Sequence, residues 1–248
     1  MNKTQKLIAL VIVSLIGICG VYIDTSNQLS SKLEDKKPDQ RKAKHGEFKK
    51  YTSDKKLKTI VNYDNGTKHG FSYLYHNDGK TVLLAMPYQN GKREGISKKY
   101  FESGVLYAST SYKNDLLHGP RKTYYSSGKL KSVLNYGSGK VGLGTKEYLL
   151  DGQLKETPRI LSKRDRSRIW LDTSVSCKNT VFYIGKLVDD VFFDPLDNNV
   201  KQLMDDNGVF FIDTEVYTRS YLKYQDIICS CKTSQGNPLI IKTKVDHL

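Results

Sequence analysis

No Gly-x-Ser-x-Gly elbow, phosphate-binding loop, Rossmann fingerprint or His-Glu-x-x-His motif occurs in this 248-residue chain. Hydrolase, nucleotide-binding and zinc-protease chemistry therefore lack their usual sequence support. An Asp-x-Asp-x-Asp-Gly calcium loop is missing as well. The acidic stretches Asp189-Asp190 and Asp205-Asp206-Asn207-Gly208 read as turns. Apolar residues are scarce at 38%, which fits an elongated sheet with much surface better than a thick globule. Tryptophan occurs once and phenylalanine eight times, against 17 tyrosines. Tyrosine suits a half-buried strand, its ring packed and its hydroxyl wet.

The net charge is +14, and the excess is unevenly placed. Residues 45–156 hold 19 Lys and Arg against 10 Asp and Glu, whereas residues 157–248 hold 13 against 12. The middle of the chain should thus attract anionic surfaces.

One long apolar run is present, Leu7–Ile23, preceded by Lys3 and Lys6. Positive charge before the run places its start in the cytoplasm and the rest of the chain outside. Three fates remain open: an uncleaved anchor, cleavage after Gly20, or lipidation at Cys19, where Ile18 departs from the small residue that processing wants. Residues 24–44 are polar and lysine-rich and read as a flexible tether.

Internal repetition dominates residues 45–157. Gly46, Gly70, Gly95, Gly119 and Gly144 recur every 24 or 25 residues, mostly after histidine (His45, His69, His118). Tyr51, Tyr75, Tyr100, Tyr124 and Tyr148 form a second column, and Tyr63, Tyr88, Tyr112 and Tyr136 a third. Each unit holds two short runs divided by turn signals such as Asn77-Asp78-Gly79 and Gln89-Asn90-Gly91. The second run alternates, as in Val82, Leu84, Met86 and Tyr88, which predicts a strand with those four on one packed face. The fold class is therefore all-β, with about five tandem hairpins in an elongated antiparallel sheet. The histidine column reads as strand starts after turns, because Glu94 and Leu143 share it.

Lysine and arginine pairs recur on the first runs: Lys49-Lys50, Lys98-Lys99 and Arg121-Lys122. They are candidate contacts for anionic headgroups or envelope polymers, with solvated edge lysines as the simpler reading. Export removes most nucleic acid from the reach of the chain.

Residues 158–168 read as a connector. From 169 to 248, candidate strands at 169–175, 181–187, 191–193, 209–216, 226–231 and 239–245 suggest a small sandwich-like domain. Cys229 and Cys231 share a strand face, and in an oxidising compartment Cys177 is the candidate disulfide partner of one of them.

The pattern His-Gly-x4-Tyr-x3-Gly-Lys-Leu-x5-Tyr-x2-Gly-Lys over residues 45–156 resembles the variant MORN repeat of the YwqK antitoxin-like family. Lys55 and Asp115 replace turn glycines, and the fifth unit lacks its second half. The resemblance implies a non-catalytic scaffold that contacts a protein or phospholipid headgroups, with no catalytic residues and no cofactor. It also implies a toxin as an alternative partner. The function expected is an exported or membrane-anchored scaffold for a protein or anionic envelope ligand.

Overall fold

The computed structural model describes residues 43–244, and the chain from Lys44 onward is one compact unit. The expectations for the apolar run and most of the tether lie outside the described residues. Among the described residues, no helix is long and apolar enough to cross a membrane.

The repeats build β1 (Gly46–Tyr51), β2 (Leu57–Asp64), β3 (Thr67–Lys68), β4 (Gly70–Tyr75), β5 (Val82–Gln89), β6 (Lys92–Arg93), β7 (Gly95–Tyr100), β8 (Leu106–Lys113), β9 (Leu116–Tyr124), β10 (Leu130–Gly137), β11 (Lys140–Gly142) and β12 (Lys146–Glu147). Consecutive hairpins pair side by side in one antiparallel sheet. Each glycine that opens a first strand has positive φ, from 74° at Gly70 to 98° at Gly95, a backbone that side chains disfavour. That requirement explains the column. The turn at the other end of each unit donates back to the unit before it: Gly66 N–H to the Lys44 carbonyl, Gly91 to Lys68, Asp115 to Arg93 and Gly139 to Leu117.

The strand pairing corrects the expected second-strand face. Tyr51 opposes Leu57 while Lys50 opposes Thr59, so Lys58 is an extra residue between them. Leu83, Tyr107 and Lys131 are its equivalents in the next three units. This recurrent bulge reverses the alternation. Leu57, Val82, Leu106 and Leu130 therefore share a face with Tyr51, Tyr75, Tyr100 and Tyr124, opposite to Tyr63, Tyr88, Tyr112 and Tyr136. The fifth hairpin is cut short. It keeps only the bridge Tyr148–Leu154, the equivalent of Tyr51–Leu57, before the chain departs.

The remainder forms β13 (Ile160–Arg164), β14 (Arg168–Thr173), β15 (Lys178–Gly185), β16 (Phe192–Phe193), β17 (Val200–Gln202), β18 (Asp205–Asp206), β19 (Val209–Asp213), the short helix α1 (Arg219–Leu222), β20 (Asp226–Lys232) and β21 (Pro238–Lys244). Two four-stranded sheets result, β13-β14-β19-β18 and β17-β15-β20-β21. Ile169, Leu171 and Ile212 of the first meet Phe182, Ile184, Ile227, Cys229 and Leu239 of the second in the main core. The other side of the second sheet, with Ile228 and Ile240, packs on Leu187, Phe193, Val141 and Leu143. β20 is therefore buried on both faces. β16 leaves the domain to pair with β11, so the repeat sheet ends on a strand contributed from beyond the repeats. Phe192 lies where a side chain on Gly137 or Gly142 would be.

The stretch 158–168 is not a plain connector, because β13 occupies residues 160–164 as an edge strand paired to β14. Residues 161–164 are exposed, and so carry no apolar alternation that could reveal a strand.

Candidate functional site

The register places the basic pairs on opposite faces. Lys49 pairs with Ile60, Ile60 with Tyr73, Tyr73 with Ala85 and Ala85 with Lys98. Lys98 pairs with Ser109, Ser109 with Lys122, Lys122 with Val133 and Val133 with Lys146. Directly paired residues share a face, so these positions make one continuous row across the sheet. We call this the lysine face. Lys49, Lys98, Lys122 and Lys146 are all exposed. Lys49 pairs with Glu47 at 3.0 Å. None of the ion pairs among the described residues involves Lys98, Lys122 or Lys146. Two residues further along the same strands stand Tyr51, Tyr100, Tyr124 and Tyr148, a tyrosine stripe beside the lysine row.

Lys50, Lys99 and Arg121 belong to the other face, in the row Lys50, Thr59, Leu74, Leu84, Lys99, Ala108, Thr123, Ser132 and Glu147. Arg121 lies beside this row on the same strand as Thr123, opposite Leu134. This face is more closed. Lys99 stacks on the bulge residue Tyr107, with its ammonium 5.2 Å from the ring centre. Ala108, Thr123, Ser132 and Leu134 are buried, and Thr123 and Ser132 share a 2.6 Å hydroxyl hydrogen bond. Its tyrosines carry cations from the preceding turn: Lys44 on Tyr63 at 5.3 Å, Lys68 on Tyr88 at 4.8 Å and Arg93 on Tyr112 at 4.6 Å. Such stacking is attractive by about 0.5–1 kcal/mol at exposed sites. Leu117 holds the cation's position in the fourth unit. The six expected anion contacts thus divide into three on each face and do not form one platform.

Two members of the histidine column are built into turns. His45 Nδ1 lies 3.2 Å from Asp64, and Glu94 in the same column accepts the Asn114 N–H at 2.7 Å. Either side chain fixes a neighbouring turn.

Glu147 ends its row as a buried carboxylate. Its Oε1 accepts from Thr233 Oγ1 at 2.5 Å and Asn237 Nδ2 at 2.6 Å, and Lys155 Nζ lies 3.4 Å from Oε2. Glu147, Lys155, Thr233 and Cys177 line a cavity of about 70 Å³. Cys177, Cys229 and Cys231 are free thiols, so the structure contains no bridge from Cys177 to either. Burial, then a hydrogen bond with Cys231, pushes the Cys177 thiol up to about 11, and a protonated thiol is a poor nucleophile. Sequence reading also missed Asp226, wholly buried at the start of β20, with Lys244 at 2.6 Å, Lys186 at 3.5 Å and Lys242 at 3.8 Å. Lys242 also reaches Asp190, tying the hairpin that carries β16 to β21. The available signal was alternate lysines, Lys242 and Lys244, on one side of a strand.

Residues 44–65, 93–114 and 117–137 match the family model of the MORN repeat variant. Those three stretches are MORN-variant repeats. Within residues 66–92, which the family model does not match, β4 and β5 pair as a hairpin with the same bulge. No curated protein matches the chain.

Proposed function

We propose that the protein is a non-catalytic scaffold, exported and held at the membrane by its N-terminal segment, whose MORN sheet offers its lysine face to a protein or an anionic envelope ligand. The observation that carries this reading is the row of exposed lysines, of which Lys98, Lys122 and Lys146 have no ion pair among the described residues. Unpaired like charges in register repel one another across the sheet, a cost that an anionic ligand removes. The side chains otherwise suited to chemistry have structural tasks: Glu147 clamps two parts of the fold, and the Cys177 thiol stays protonated at neutral pH. Export rests on Lys3 and Lys6 ahead of the apolar run Leu7–Ile23.

The test is a pair of reporters fused after Lys44, one active only outside the cytoplasm and one only inside. Activity of the outside reporter alone is expected. Activity of the inside reporter alone contradicts export and favours the toxin-neutralising role that the family label suggests.

A further inference from the structure

We infer that the ligand of the lysine face is a linear anionic glycan, a flexible sugar chain bearing a carboxylate or phosphate at regular intervals, lying across the strands along Lys98, Lys122 and Lys146. The assignment deepens the scaffold reading above and rests on its placing the sheet outside the cytoplasm.

Three features select this chemistry. First, these lysines sit on every second strand of one register row, so their spacing is roughly 10 Å along the long axis of the sheet. That interval is comparable to the repeat of a disaccharide carrying one charge. Second, Tyr100, Tyr124 and Tyr148 run parallel to the row, and half-buried tyrosine rings offer apolar surface to sugar rings as well as a hydroxyl. Third, neighbouring strands are rotated by about 20–25°, so the four strand steps from Lys98 to Lys146 turn the row by roughly 90°. A flat lipid surface meets only part of such a row. A flexible chain can wind with it and engage all three ammoniums. The site weakens towards β1, where Tyr73 takes the lysine position and Glu47 already neutralises Lys49.

The two faces supply an internal control, because each has three of the expected cations. The experiment measures binding of the purified full-length protein to hyaluronan oligosaccharides of graded length, which carry one carboxylate per disaccharide. Neutral chitin oligosaccharides of the same lengths run beside them. Affinity for the anionic series should rise with length until an oligomer spans Lys98 to Lys146 and then level off, and the neutral series should not bind. The triple variant Lys98→Gln, Lys122→Gln, Lys146→Gln should lose about tenfold in affinity, equivalent to about 1.4 kcal/mol. The variant Lys50→Gln, Lys99→Gln, Arg121→Gln should stay close to wild type, with circular dichroism confirming that both fold. Equal losses from the two faces overturn the inference. So does tighter, equally lysine-dependent binding to single-stranded oligonucleotides or to phosphatidylserine vesicles. Absence of glycan binding by a chain that the Lys44 fusions place outside the cytoplasm overturns the glycan assignment alone and leaves the scaffold reading standing.

Discussion

Glu147, in the last repeat strand, accepts a hydrogen bond from Thr233, 86 residues further along the chain, and both are buried. Asn237 donates to the same oxygen. One carboxylate thus joins the repeat sheet to the turn between β20 and β21. Glu147→Ala leaves two donors without their acceptor and should cost about 2–3 kcal/mol, read as a lower denaturant midpoint. Glu147→Gln keeps an acceptor in place and should lose less. An unchanged midpoint in the alanine variant would show that the clamp contributes nothing.

Two turn substitutions should have opposite effects although both introduce glycine. Lys55 has φ 59° where later units have glycine, and its side chain is exposed. A left-handed backbone costs an L-residue about 1–2 kcal/mol, partly offset by the greater chain entropy of glycine. Lys55→Gly should therefore stabilise by about 0.5–1 kcal/mol. Asp115 has φ 68° but accepts the Arg93 N–H at 2.9 Å and pairs with its guanidinium at 3.1 Å. Asp115→Gly should destabilise, because both of those contacts are lost. Thermal melting of the two variants checks both signs.

Asp78 gives the array an acid-sensitive turn. Hydrogen bonds from the Thr81 hydroxyl, then from the Lys80 and Thr81 amides, hold its carboxyl at about 2, below the ordinary 3.8. A depressed carboxyl stabilises the fold above its unfolded value, and the contribution disappears as pH falls from near 4 towards 2. The stability gap between wild type and Asp78→Ala should accordingly be full at pH 6 and close over that window. A gap independent of pH between 6 and 2 would assign the effect to something other than ionisation.

The cation ladder breaks at Leu117, and this can be repaired. Leu117→Lys restores a cation at the position that serves Tyr136 and should be neutral or stabilising by up to about 1 kcal/mol. Tyr112→Ala removes the ring under Arg93 and should cost about 2–3 kcal/mol, less than truncation of a fully buried aromatic. Equal melting of wild type and Tyr112→Ala would make that tyrosine a contact residue instead.

The hairpin array was legible because glycine at positive φ and the turn pairs impose a residue type wherever they recur. The bulge was not legible, since an inserted residue such as Lys58 or Tyr107 leaves the written alternation intact and reverses faces only through its partner strand. The division of Lys98 from Lys99 was available from strand parity alone, but the row joining Lys98 to Lys122 and Lys146 needed the register. In the C-terminal part, the apolar run Ile227–Cys229 marked a strand, and its burial on both faces came from the packing. β13 and β17 were hidden because their residues are largely exposed or polar. The Glu147 clamp joins residues so distant in sequence that no local pattern could announce it.

Which face of the sheet meets the ligand is the central claim, and two adjacent residues can report it. Ser109 lies in the lysine row between Lys98 and Lys122, and Thr110 is on the opposite face, paired with Arg121. A photo-crosslinking side chain placed at one or the other, in the full-length protein in intact cells, differs only in the side of the sheet it samples. Adducts from position 109, reduced when Lys98, Lys122 and Lys146 are changed to glutamine, are expected, with few from position 110. Adducts from position 110 that survive those changes would contradict the account.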